Sequence, residues 1–457
     1  MALITFSFSL AAPLLAGEPR QGNTYASYNF VPGSVLRGAV ANVLMADWSH
    51  EQRRQPHPDQ CPDPATCPLC RVFYPQADDG RFLPSPRFYD CYPATLGSRA
   101  VYPFPQTART CKRHGGFLRA QSNEERHGIM DTLVRQAAAH EAAQSGQPLP
   151  YVYTLTCPTC GEALQTPEEG SYGRYEEYFY TARPLNRRFS RTAINRRRHT
   201  AQQGQLFTLT VMGEQMRTDL PEAGGEPEVT RLLGVVDPGA ADADLLREAL
   251  SQVRWLGSST SRGLGQLAEV KIERADPDGM AAEPLTLAAF QQQVGSGRFT
   301  FAPDMEQDFG HRLAAFNQAI AAERAFYRAL GLELLSGGWY FTVDLLSDAF
   351  ARAGGLPTLA LTAEMLALPG AECIFMAAAA VNRGGWNNAW GLPQPRYLGI
   401  QAGGVYLFRV NGRDPQTVQA LWTRLQTLEQ AGIGYERERG AGRVFICAPF
   451  HQEVNPK

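Results

Sequence analysis

Two cysteine pairs, Cys67-Pro-Leu-Cys70 and Cys157-Pro-Thr-Cys160, have the spacing that presents two thiolates to one tetrahedral metal ion. The expected ligand set is Cys67, Cys70, Cys157 and Cys160 around a structural zinc. The pairs are separated by 86 residues, so the ion would join the two ends of a long excursion of the chain. No His or carboxylate adjoins the pairs to make the open site of a catalytic zinc. Cys61, Cys91 and Cys111 read as core or spare residues, and His114 and His127 as packed or solvated ones.

A second concentration of chemistry is cationic. The stretch Arg183 to Arg198 (RPLNRRFSRTAINRRR) holds seven arginines and no acid, so a net charge of −2 leaves −2 − 7, or −9, on the rest of the chain. Such gathering of charge suits an anionic backbone, with Arg187, Arg188, Arg191, Arg196, Arg197 and Arg198 as candidate contacts. His199 follows them directly. Attack by a ribose 2′-OH needs a base, a cation and a leaving-group acid, and His199 beside Arg197 and Arg198 meets part of that need. A further phosphate contact is the simpler use.

Two glycine loops repeat. Arg262-Gly263-Leu264-Gly265 aligns with Arg439-Gly440-Ala441-Gly442, and each follows a helix-patterned segment (Asp242 to Arg254, Asp414 to Ala431) and opens into an apolar strand. Glycine lets backbone N–H groups approach a phosphate, and the arginine adds a planar donor fork. Plain turn residues are the other reading. Gly33, Ser34 and Arg37 begin a helix over 34 to 47, with Ser34 as N-cap and free N–H groups facing an anion; an ordinary capped core helix is equally open. Trp386 and Trp390 either stack bases or anchor their loop.

The elements that position these residues follow from period and length. At 457 residues two domains are expected, and no apolar run of about 18 residues exists to span a bilayer. No membrane partner is expected. Cysteine pairs of this kind point to a reducing compartment, the cytoplasm. The start, MALITFSFSLAAPLLAG, has no basic residue before Arg20, and Ile4, Phe6, Phe8 and Leu10 alternate, so it reads as a half-buried strand and not a signal peptide. Residues 48–173 read as a zinc-binding insertion, with one helix over His127 to Ala143. Strands follow over 175–212, then a strand at 231–236, a helix over 242–254 and a strand over 266–273. Without the insertion this is βαββαβ. After a linker, a helix over Phe309 to Leu330 carries Leu313, Phe316, Ile320 and Phe326 as its apolar stripe, and a similar second domain follows with a helical Ala363 to Leu368. The fold class is α+β: two ferredoxin-like, RRM-like βαββαβ domains in tandem, at 1–274 and 337–457, joined by 275–336.

The chain resembles the RAMP superfamily of CRISPR-associated proteins through Val31-Pro-Gly-Ser-Val-Leu-Arg-Gly38, Ser261-Arg-Gly-Leu-Gly265 and Glu438-Arg-Gly-Ala-Gly442. Pro105-Gln-Thr-Ala-Arg-Thr-Cys-Lys-Arg-His-Gly-Gly-Phe117, His127-Gly-Ile-Met-Asp-Thr-Leu133 and the CPLC motif are similar to the Csx-ten family of type III-D effector complexes. That resemblance implies a Cas-five-like, non-catalytic subunit in antiviral defence, gripping the repeat-derived 5′ handle of the crRNA. It also implies partners: the large polymerase-cyclase subunit, backbone RAMP subunits and, indirectly, target RNA. A RAMP endoribonuclease that processes precursor crRNA, with His199 as general base, is the alternative.

Overall fold

In the computed structural model the described residues are 3–17, 23–48, 61–98, 100–118, 125–150, 154–168, 170–176, 178–195, 197–220, 226–273, 285–296, 308–387, 392–412 and 414–452. Arg196, Trp390 and residues 275–284 and 297–307 of the joining segment lie outside them.

The first half begins with β1 (Ile4–Leu10), α1 (Gly33–Leu44), the short α2 (Pro68–Phe73) and two brief strands, β2 (Arg87–Phe88) and β3 (Tyr92–Pro93). A small sheet follows, built from β4 (Ala108–Cys111), β5 (Ile129–Asp131) and β6 (Leu164–Gln165), with α3 (Leu133–Ser145) after β5. The long β7 (Tyr178–Asn195) and β8 (Thr200–Thr218) precede β9 (Arg231–Asp237), α4 (Ala243–Ser251) and β10 (Leu267–Ile272). The second half holds α5 (Leu287–Ser296), α6 (Phe309–Ala329), β11 (Trp339–Leu345), β12 (Ala371–Ala377), β13 (Val405–Val410), α7 (Pro415–Ala431) and β14 (Val444–Ile446). The chain is thus mixed α+β.

Both principal sheets share one strand order. In the first, β1 lies between β10 and β9, and β2 and β3 pair with the far side of β9. In the second, β11 lies between β14 and β13, with β12 beyond β13. All these pairs are antiparallel. Strands β7 and β8 do not join the first sheet, as the strands over 175–212 were expected to. They pair with each other and with Ser171–Tyr175, in a separate sheet. The edge of the first sheet comes instead from β2 and β3, inside the stretch read as insertion. Alternation marks a strand but does not name its neighbour, which is set by long-range pairing.

Other expectations change locally. Ser7 and Ser9 of β1 are buried along with Phe6 and Phe8, because both faces of the strand are covered. Thr362 to Leu368 closes overlapping hydrogen-bonded turns and no helix. On α6 the stripe is Leu313, Phe316, Ile320 and Tyr327, while Phe326 is 51% exposed; position 327, seven after Ile320, returns to the same helix face. Helices α4 and α7 lie within the segments patterned as helical, and Asp242 and Asp414 cap them by accepting from the N–H groups of Leu245 and Thr417 at 3.0 and 2.9 Å. Among the described residues no helix is long and apolar enough to cross a membrane.

Each sheet has its own apolar core. A third, aromatic cluster joins Tyr102, Phe104, Phe117 and Tyr172 to Phe445 and Phe450 near the C-terminal end. Beside it lies a buried charge cluster. His451 Nδ1 is 2.9 Å from Asp131 Oδ2 of β5, and Nε2 is 2.6 Å from Asp344 Oδ1 of β11. Burial opposes charging the ring, yet the two carboxylates outweigh it and push its pKa up to about 10. A group whose pKa is raised on folding stabilises the fold fully below its unfolded value, about 6.5, and less as pH rises through the folded value. The melting temperature should therefore fall between about pH 6.5 and 10. A pH series by calorimetry should show that slope flattened in His451→Gln; an unchanged slope would exclude the cluster as its source.

Candidate nucleic-acid interface and metal centres

The two glycine loops have the same backbone. Each is a 3-10 turn, Thr260–Arg262 or Arg437–Arg439, held between two left-handed residues: Ser259 (φ 60°) and Gly263 (φ 80°), or Glu436 (φ 62°) and Gly440 (φ 89°). Gly265 and Gly442 then pack against their own loops, where a Cβ would come within 1.9 Å of the Leu256 carbonyl oxygen and 1.8 Å of that of Ile433. This explains the glycines and corrects their expected use. The N–H groups of Arg262, Gly263, Leu264 and Gly265 donate to Ser259, Thr260, Ser259 and Pro13, and those of Arg439 to Gly442 are engaged likewise. Neither loop keeps these amides for a phosphate.

The loops differ in what surrounds them. Arg262 and Gly263 are exposed, with open space around Gly263. Gly440 is buried against the first half, where a Cβ would lie 2.0 Å from the Phe88 oxygen, and Arg439 pairs with Glu436 at 3.1 Å. Gly33 abuts the same Phe88 oxygen, at 1.7 Å from a Cβ. The start of α1 and the second loop thus meet at β2.

That meeting fills the anion position at the start of α1. The Gly33 N–H donates to Asp90 Oδ1 at 2.9 Å, so a carboxylate of this chain occupies the place read as open to a phosphate. Burial and Asp348 push Asp90 up to about 7, against the pull of the Gly33 N–H, Arg383 and Arg443. Ser34 is exposed and is not the N-cap; Pro32 holds that position, without a side-chain bond. Arg37 lies 4.7 Å from the Phe73 ring centre, and its Nε is buried without a hydrogen-bond partner among the described residues. Burial lowers its pKa, partly offset by Tyr74.

The arginine stretch forms a hairpin arm. Leu209, Val211 and Met212 of β8 are buried, whereas on β7 Asn186, Arg187 and Arg188 are exposed, and Ile194 and Leu206 are 65% and 62% exposed near the tip. Arg183 and Arg187 lie near Glu168 (4.0 Å) and Glu214 (3.3 Å), and Arg191 lies over Phe189 at 5.9 Å. Arg188, Arg197 and Arg198 are exposed, and no carboxylate among the described residues forms an ion pair with them. Asn195 shapes the tip by accepting from the N–H groups of Arg197 and Arg198 at 3.0 and 3.2 Å. His199, expected within a strand, sits in this turn, left-handed (φ 51°) and exposed.

The four expected zinc ligands divide between two clusters. Cys157 and Cys160 join Cys111 and His127, and Cys67 and Cys70 join Cys61, the ligand atoms of each cluster lying within 4.8 Å of one another. In the first, Cys111 and Cys160 Sγ are 3.6 Å apart, and Cys157 Sγ is 3.3 Å from His127 Nδ1. Tetrahedral zinc, with bonds of about 2.3 Å to sulfur and about 2.0 Å to nitrogen, sets neighbouring ligands about 3.5–3.8 Å apart, so this Cys3His set fits the ion. Burial opposes ionisation of Cys157, but the backbone N–H groups of Cys160 and Thr159 and the His127 ring bring it down to about 6. Glu125 accepts from His127 Nε2 at 3.2 Å, the outer carboxylate that orients a metal-bound imidazole. Cys111 ends β4 and His127 precedes β5, its antiparallel partner, a pairing that cysteine spacing does not show. Cys91 is a core residue, as expected.

No protein-family model and no curated protein matches the chain. A chain of the type III-B Cmr-beta complex bound to cognate target RNA and AMPPnP overlaps it at a TM-score of 0.36 and 8% identity, over 88% of this chain and 86% of that one. The same complex with cognate target RNA gives 0.35 and 9%, over 88% and 86%. A chain of the Csm3-Csm4 subcomplex of the type III-A CRISPR-Cas interference complex gives 0.31 and 8%, over 90% and 95%. Overlaps this loose transfer neither fold nor function, and the assignment rests on the residues of this chain.

Proposed function

We propose that the protein is a non-catalytic, crRNA-binding RAMP subunit of a type III CRISPR-Cas effector complex, of the type III-D Csx-ten family. It holds the repeat-derived 5′ handle and contacts the large polymerase-cyclase subunit and a backbone RAMP subunit, reaching target RNA only through them. The observation that carries this reading is the hairpin arm, whose Arg188, Arg197 and Arg198, without an ion pair among the described residues, and exposed Ile194 and Leu206 offer charge to phosphates and apolar surface to bases. The shared strand order supports two ferredoxin-like units within 1–274 and 337–457. The Cys3His cluster serves as a structural zinc staple between β4, β5 and the Cys157 turn. His199, beside Arg197 and Arg198 with no acid paired to it among the described residues, serves as another phosphate contact.

Salt dependence tests this. About five phosphate contacts to a single strand give a slope of log K against log salt near −3.5. A repeat-derived 5′ handle RNA should show that slope, bind more tightly than a scrambled RNA of equal length, and remain uncut. Equal affinity for both would refute handle recognition, and a shortened product abolished by His199→Ala would make the protein an endoribonuclease.

A further inference from the structure

The cysteines left outside the Cys3His cluster form a group of their own. Cys67 precedes α2 and Cys70 lies in its first turn, while Cys61 is brought back to them by a tight turn in which Asp63 accepts from the Thr66 N–H (3.3 Å) and Oγ1 (2.6 Å). The Cys67 N–H donates to the Asp63 carbonyl at 3.1 Å, closing the turn. None of the three is in a disulfide, and their sulfurs lie within 4.8 Å of one another. No fourth His, Cys or carboxylate among the described residues joins them, and the nearby Asp63 carboxylate is engaged by Thr66. Cys70 is buried, whereas Cys61 and Cys67 are half-exposed, with Cys67 packed against the first core.

We propose that Cys61, Cys67 and Cys70 hold a second, separate thiophilic metal ion of the zinc class, with no fourth ligand from the other described residues. An all-sulfur donor set selects soft or borderline ions over magnesium and calcium, which take oxygen ligands. On binding, the three S–H bonds break, three metal–sulfur bonds form and three protons leave to water. The ion fixes α2, whose Phe73 packs beneath Arg37 and whose Arg71 pairs with Asp242 at the start of α4. The two sites differ in kind. The described residues supply four ligands to the Cys3His site and three to the other, two of them half-exposed, which leaves that ion accessible to a competing chelator.

The test is metal content of the full chain, loaded with zinc, desalted and analysed by mass spectrometry, for the wild type, Cys61→Ser and Cys157→Ser. The expected result is two equivalents in the wild type and one in each variant. From the native wild type, EDTA should remove one equivalent within minutes and leave the other until denaturant is added, a readout that needs no variant to fold. One equivalent in the wild type, unchanged in Cys61→Ser and lost in Cys157→Ser, would overturn the second site while leaving the Cys3His centre intact. A disulfide among Cys61, Cys67 and Cys70 in protein purified under reducing conditions would also overturn it.

Discussion

Changing Arg188, Arg197 and Arg198 together to alanine is expected to weaken binding of the handle RNA about 100-fold, at about 1 kcal/mol for each exposed charge-assisted contact. These three arginines are exposed, and no ion pair within the chain competes for them among the described residues. Their loss should therefore remove phosphate contacts without leaving a buried carboxylate unpaired. The salt slope should become shallower by about 2, since each single-strand contact contributes about 0.7. Arg247→Ala serves as the control: it is half-exposed on α4 and pairs with Asp244 at 2.8 Å, so it should change neither quantity. Fluorescence anisotropy at several salt concentrations, with circular dichroism to verify folding, measures both. An unchanged slope in the triple variant would remove the arm from the interface.

The largest stability effect is expected at Arg312. Its guanidinium is fully buried, donates to the Ile446 carbonyl at 3.0 Å and to both oxygens of Glu429 at 2.7 and 2.6 Å, and lies 3.9 Å from the Phe445 ring centre. Glu429 in turn accepts from the Ile446 N–H at 2.9 Å, so one ion pair ties α6, α7 and β14 together. Arg312→Ala leaves the carboxylate without its cation and the carbonyl without its donor, a loss of about 3–5 kcal/mol. A fall in melting temperature of about 10 °C is expected. Arg312→Met paired with Glu429→Gln should recover part of it, because no charge then remains uncompensated. Equal melting temperatures for Arg312→Met alone and for the paired variant would show that the unpaired carboxylate does not set the cost.

What the sequence made legible was local. Alternation placed β1, helical patterning placed α4 and α7, and the matching Arg-Gly-x-Gly words proved to share one turn geometry. The arginine stretch was visible as charge and turned out to be an arm. What stayed hidden depended on residues distant in the chain. Cysteine spacing identified metal-binding turns, but Cys157 takes Cys111 and His127 as neighbours through the pairing of β4 and β5, and Cys67 takes Cys61. The start of α1 showed no sign of Asp90, which follows it by more than fifty residues and bonds to Gly33. The glycines required a backbone conformation, and only the folded loops reveal that their amides are spent internally.

The central claim, that this chain grips the 5′ handle of a crRNA, is tested most directly by sequencing the RNA that co-purifies with the tagged full-length protein from its host. The account predicts enrichment of CRISPR repeat-derived 5′ ends, depleted when Arg188, Arg197 and Arg198 are replaced. Random RNA in both preparations, or none in either, would contradict it.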